Sequence, residues 1–165
     1  MFELNEDQCG VCLEGVAPGD LELPCGHIIH VSCIRKLRKF DLHHCPLCRA
    51  TLPRPEQMSQ TAAQILESIE LIWVNEGKKP WNEMPLSLLR KAEQARIQFE
   101  EAAEHGYGNA LYNLGYMYHR GNFMAPDYYK AKGYYEEAIR KGHTKVTVPA
   151  ILSSLVIMSI GVDCG

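Results

Sequence analysis

A small α+β finger with little core of its own, followed by an all-α helical-repeat segment of the α/α solenoid type, is the fold class predicted by three features of the chain. Between Cys9 and Cys48, six cysteines and two histidines fall in four close pairs. From Ser59 onward, apolar residues keep helical spacing along one face. From Ala95, a set of small, acidic and aromatic residues recurs 36 residues later.

The pairs are Cys9-x2-Cys12, Cys25-x-His27, His30-x2-Cys33 and Cys45-x2-Cys48. Tight turns of this kind let two thiolates or imidazoles reach one ion, and Gly26 gives the shortest turn its backbone freedom. Zn²⁺ takes four such ligands in a tetrahedron, so eight ligands predict two closed sites and two Zn²⁺ ions. His43 and His44 beside Cys45 are read as loop residues, because Cys45-Pro46-Leu47-Cys48 already completes the set. A disulfide framework would need an oxidising compartment. The acidic stretch Met1 to Asp7 has no apolar signal-peptide core, which predicts an intracellular, cytoplasmic setting with reduced thiols.

The 165 residues, 46% hydrophobic and 22% charged, are ordinary for one or two small globular domains. A finger of about fifty residues has too little core to fold alone, so the metals must supply folding free energy. The formal charge of −3 becomes about −5 once six thiolates and two Zn²⁺ are counted. That balance excludes the basic surface of a nucleic-acid binder.

The order and spacing of the eight ligands resemble the RING finger, in the variant whose two central pairs each carry a histidine. The ligand order of the PHD finger fits worse. The RING resemblance covers about the first third of the chain. It implies interleaved pairing, with Cys9, Cys12, His30 and Cys33 on one zinc and Cys25, His27, Cys45 and Cys48 on the other. It also implies partners, a ubiquitin-conjugating enzyme and ubiquitin. Val11, Leu37 and Pro46 match positions that contact the conjugating enzyme in that family, with Leu37 standing where many active members have a tryptophan. Arg49, beside the last cysteine, matches the basic residue that clamps the enzyme-linked ubiquitin. A clamp of this kind accelerates transfer through orientation rather than through a nucleophile on this chain. Of the seven cysteines only Cys164 is spare, and its apolar surroundings argue against a thioester-forming ligase.

Taken in order, the finger spans 1–54. Pro18-Gly19-Asp20 signals a turn, flanked by Val16 and Leu21-Glu22-Leu23 as two short strands. Ile34, Leu37 and Phe40 mark one to two turns of helix with a buried stripe. The basic residues Arg35, Lys36, Arg38 and Lys39 are expected on its solvated face, with contact to an acidic partner as the alternative. Leu52-Pro-Arg-Pro55 closes the finger, since two prolines resist helix and inner strand. A helical connector, 55–91, has its helix start at Ser59 and carries Ala62, Ile65, Leu66, Ile69, Ile72 and Trp73 on one face, with Gly77 as its stop. That face is expected to pack in a core, docking the finger or forming a dimer contact.

In 92–145, Ala95, Phe99, Glu100, Glu101, Ala102 and Gly106 recur as Ala131, Tyr135, Glu136, Glu137, Ala138 and Gly142. Ala110, Leu114, Gly115, Tyr118 and Gly121 between them resemble the signature of the Sel-like repeat, a relative of the tetratricopeptide repeat, with Phe123 where a second glycine is usual. The resemblance implies helix pairs that bind other proteins, here a protein substrate or an assembly partner; the plainer alternative is that they only stabilise the chain. His105, His119 and His143 are read as simply polar. The tail, 146–165, holds an apolar run from Val146 to Val162 behind a basic flank; about 17 residues is the lower limit for spanning a bilayer. Cover for the end of the helical stack is preferred to a membrane anchor. The reading is a RING-type ubiquitin-protein ligase with repeats for protein binding, against the alternative of a non-enzymatic adaptor that mediates assembly.

Overall fold

The computed structural model describes residues 8–16, 20–75, 77, 81–121 and 123–143. The tail reading, Cys164 and most of the predicted Pro18-Gly19-Asp20 turn lie outside the described residues. An N-terminal zinc-finger-like unit is followed by helical segments. β1 (Leu21–Glu22) and β2 (Ile28–Ile29) form an antiparallel hairpin with Leu21 opposite Ile29, and α1 (Val31–Lys39) follows directly. Then come α2 (Pro55–Asn75), a 3₁₀ turn at Trp81–Glu83, α3 (Leu86–Glu104), α4 (Gly108–Arg120) and α5 (Tyr128–Arg140).

Three local expectations need correction in the finger. The strand partner of Leu21–Glu22 is Ile28–Ile29, not Val16, because a hairpin around Cys25-Gly26-His27 closes with the shortest loop. Gly15 instead makes an isolated bridge with Gln8. Phe40 does not continue the buried stripe of α1. The helix ends at Lys39, and the ring stands exposed beyond Val31, Cys33 and Ile34, which carry the burial. Arg35 and Arg38 are not a solvated face, since both reach the helical segment.

Pro55 starts α2 rather than delaying it to Ser59. A proline tolerates the first helical position, where its missing N–H would have no partner anyway. The Arg54 N–H donates to Gln57 Oε1 at 2.8 Å, half of a capping box. Ala62, Ile69 and Trp73 of α2 are buried in the main core, with Ile65 and Leu66 packed beside them. Ile72 is exposed and leaves the predicted face, while Trp73 beside it stays in the core with Met84 and Leu88. The face thus packs in the core of the helical segment, and the finger docks lower, through Met58 and Ile97.

α3, α4 and α5 pack in sequence, and the 36-residue offset has a geometric counterpart. Ala95, Phe99 and Ala102 of α3 are fully buried, as are Ala131 and Ala138 of α5, with Tyr135 nearly so. Both helices end alike. Gly106 N–H donates to the Ala103 carbonyl and Tyr107 N–H to Ala102, while Gly142 and His143 repeat the pattern on Ile139 and Ala138. Each is a Schellman stop with a left-handed glycine. Gly115 has a different task. A Cβ there would lie 2.7 Å from the Tyr135 ring, so only glycine lets α4 and α5 approach this closely. No helix among the described residues is long and apolar enough to cross a membrane.

Candidate metal centre and its flanking groove

Cys9, Cys12, His30 and Cys33 converge in one group and Cys25, His27, Cys45 and Cys48 in another, with the ligand atoms of each group within 4.8 Å of one another. The first group joins the loop before the hairpin to the residues around the start of α1. The second joins the hairpin turn to the loop after α1. The pairs therefore interleave, and each site ties together segments distant in sequence.

Local backbone repeats itself at the two cysteine loops. Leu13 N–H donates to the Cys9 carbonyl and Cys9 N–H to Glu14; Arg49 N–H donates to Cys45 and Cys45 N–H to Ala50. Gln8 bridges Gly15 as His44 bridges Thr51. Leu13 and Arg49, each following the second cysteine of its pair, share a left-handed φ of 64° and 62°. Non-glycine residues seldom adopt that region. Here the turn that aims both sulfurs at one point demands it.

The donor geometry suits zinc. From His30 Nδ1 to Cys12 and Cys33 Sγ the distances are 3.2 and 4.0 Å; from His27 Nδ1 to Cys25 and Cys45 Sγ they are 3.5 and 3.7 Å. Zn–S near 2.3 Å and Zn–N near 2.0 Å in a tetrahedron set this separation at about 3.6 Å. His30 turns Nε2 away, toward the Gly15 carbonyl at 3.1 Å and Asp20 Oδ2 at 3.5 Å. A ligating imidazole needs such a partner to fix its orientation. Burial raises the Cys9 thiol, but N–H donors from Cys12, His30 and Val11 outweigh it and bring the pKa down to about 7. Burial, with Cys12 and Cys9 beside it, pushes Cys33 up to about 11. Acids crowded this way are held ionised together by a shared dication. Two Zn²⁺ ions fit the two groups. Both sites are closed by four protein ligands, so zinc there is structural.

Beside the second site lies a groove of about 600 Å³ lined by Leu37, Asp41, Leu42, His43, His44, Cys45, Pro46 and Arg49. Three of the residues singled out from sequence, Leu37, Pro46 and Arg49, thus meet in one place. Val11 is not among its lining residues and packs half-buried against the finger core. His43 and His44 belong to neither ligand group; His43 Nε2 sits 2.9 Å from Asp41 Oδ1. One contributor escaped the sequence reading. Asp20 could have been sought as the carboxylate that a ligating histidine commonly needs.

Residues 7–49 match the family described as Ring finger domain. RING finger protein 150 of Homo sapiens is 38% identical over 52 residues, 30% of this chain and 12% of the relative. Alcohol-sensitive RING finger protein 1 of Eremothecium gossypii is 45% identical over 49 residues, 27% of this chain and 14% of the relative. E3 ubiquitin-protein ligase RNF103 of Rattus norvegicus is 44% identical over 48 residues, 28% of this chain and 7% of the relative. The chain therefore spans only a small part of the length of the curated relatives it matches. No solved structure matches it. A RING finger domain occupies the N-terminal part of the chain.

Proposed function

We propose that the chain is a zinc-dependent RING-type ubiquitin-protein ligase that recruits a ubiquitin-conjugating enzyme and promotes transfer of ubiquitin to a substrate lysine. The observation that carries the reading is the convergence of Leu37, Pro46 and Arg49 on one groove beside the second metal group. Leu37 and Pro46 supply an apolar seat for the conjugating enzyme, and Val11 adds to it from the other cysteine loop. Arg49 stands at the rim. Its guanidinium fork can donate to the enzyme and to its thioester-linked ubiquitin at once, holding a mobile conjugate in a reactive orientation. The thiol that carries ubiquitin belongs to the partner enzyme. Zinc fixes the Cys45–Cys48 loop that frames the groove and takes no part in the transfer.

α3, α4 and α5 are read as Sel-like, tetratricopeptide-type repeats that bind a protein substrate. Support comes from the recurring Ala-aromatic-Ala positions, the shared Schellman stops and the close α4–α5 approach at Gly115. The protein works inside the cell, where its thiols stay reduced.

Self-ubiquitination with activating enzyme and a panel of conjugating enzymes tests the reading. Zinc-dependent chains that weaken at least about tenfold with Arg49→Ala establish ligase and clamp together. Chains indifferent to Arg49 would remove the clamp and keep the ligase. Silence across the panel, with two zinc ions bound, would make the chain an adaptor.

A further inference from the structure

Glu101, on α3, is fully buried although it is charged. Both its carboxylate oxygens are taken by the finger: Arg35 Nε lies 2.7 Å from Oε2 and Arg38 Nη1 2.5 Å from Oε1. Arg35 also reaches Glu104 at 3.1 Å. Arg38 is itself largely buried and donates further to the Pro53 carbonyl and, at 3.2 Å, to Met58 Sδ. One guanidinium thus joins α1, the segment leading from finger to α2, and α3. Two more contacts run alongside. Ile97 packs on the finger core, and Gln94 Nε2 donates to the Asp20 backbone carbonyl at 3.3 Å. Asp20 is also the partner of His30.

The 36-residue offset supplies an internal control. Glu137 of α5 corresponds to Glu101 of α3, yet it is partly exposed and, among the described residues, its ion pair is with Arg140 one turn away. Burial of a glutamate at this position is therefore no requirement of the helix pair. It comes from the finger.

From this geometry we infer that Glu101 is a positioning residue: with Arg35 and Arg38 it locks the finger onto α2–α5 as one rigid body. The groove is then held at a fixed orientation to whatever the helices carry. The finger's own shape does not depend on the lock, because Val31, Cys33, Ile34 and the metal groups hold α1 from within. The functional consequence rests on the ligase reading: transfer is steered to lysines that the fixed geometry brings to the groove.

The zinc-loaded full chain, weakly aligned for residual dipolar couplings, tests the lock. A single alignment tensor is expected for finger and helices in the wild type, and two tensors in Glu101→Gln with two zinc ions retained. Two tensors in the wild type, or one in Glu101→Gln, would overturn the inference. Should Glu101→Gln not fold, Arg35→Gln decides, because that side chain lies at the exposed rim and its loss opens one arm only. An unchanged tensor relation there would sink the lock. For the consequence, discharge of the conjugating enzyme onto free lysine should stay within about twofold in Glu101→Gln, while modification of Lys91, Lys130, Lys132 and Lys141 redistributes by about fivefold or more. An unaltered pattern of modified lysines would remove the steering. Absence of any ubiquitin transfer alongside a single wild-type tensor would refute the ligase reading and leave the lock standing.

Discussion

Among the largest fully buried side chains, the finger holds Ile29, Ile34 and the ligand sulfurs Cys9 and Cys45, with Met58 of α2 packed among them; the helices hold Phe99, Tyr135, Ile69, Leu114, Met117 and the single charged residue Glu101. The first set is small and contains its own polar atoms. The second is large and nearly all apolar. The finger's order therefore comes from coordination bonds between distant cysteine loops, and the helices' order from large side chains seated against alanines and a glycine. A charged residue joins the two, which lets each region be perturbed separately and the joint be perturbed alone.

Metal removal should give the largest effect. Structural zinc contributes on the order of 10 kcal/mol or more to the folding of small zinc domains. Chelation is expected to strip hydrogen-exchange protection from the hairpin and α1 while most far-UV helix signal stays with α2–α5. The helical part should then melt at lower temperature, because Glu101 has lost both arginines. Simultaneous collapse of all helix on chelation would break the distinction between the regions.

Next comes the joint itself. Glu101→Ala should cost about 3–5 kcal/mol, since it leaves Arg38 buried without its counter-charge. Glu137→Ala, at the corresponding place in α5, should cost less than about 1 kcal/mol, because that pair is largely exposed. Urea denaturation of the two variants measures the gap. Equal costs would mean that the buried pair does not distinguish α3 from α5.

How far these features can be read from residues alone follows from the range of the physics. The ligand pairs are legible because zinc dictates residue type and spacing, and the interleaved groups match the pairing that the RING resemblance implies. The small and aromatic positions of α3 and α5 are legible because each fills or vacates a set volume. What failed to show was long-range or terminal. Arg35 and Arg38 look like any solvated basic run until α3 brings Glu101 from 66 and 63 residues away. Phe40 has the right spacing for burial and loses it because the helix ends first. Ile72, inside α2, has the right spacing too and is exposed, while Trp73 beside it is buried. Pro55 reads as a breaker in isolation, and only the chain direction makes it a helix start.

Two glycines sharpen the packing side of the comparison. Gly115→Ala should destabilise by about 1–3 kcal/mol, because its Cβ meets the Tyr135 ring at 2.7 Å in a filled interface. Gly133, inside α5, would meet nothing within 4 Å, so Gly133→Ala should stabilise by up to about 1 kcal/mol through helix propensity. Thermal melts of the zinc-loaded variants would show opposite shifts. Shifts of the same sign would mean that the approach of α4 to α5 is looser than described.

The smallest effect concerns how helices begin. His30 stands at the N-cap of α1 with no side-chain cap bond, its imidazole committed to the metal group. Asp127 begins α5 by accepting from the Lys130 N–H at 3.0 Å. Asp127→Ala should cost about 1 kcal/mol, and Asp127→Asn much less. The Lys130 N–H holds the Asp127 carboxyl below the usual aspartate range. A depressed folded-state pKa means that the charged cap contributes fully above the unfolded value of about 3.9 and is lost as pH falls through the lowered one. The melting difference between wild type and Asp127→Asn should therefore stay constant from neutral pH to about pH 5 and shrink below it. Zinc release in acid affects both chains alike and drops out of the difference. A difference that grew in acid would show that the helix start of α5 is not set by this carboxylate.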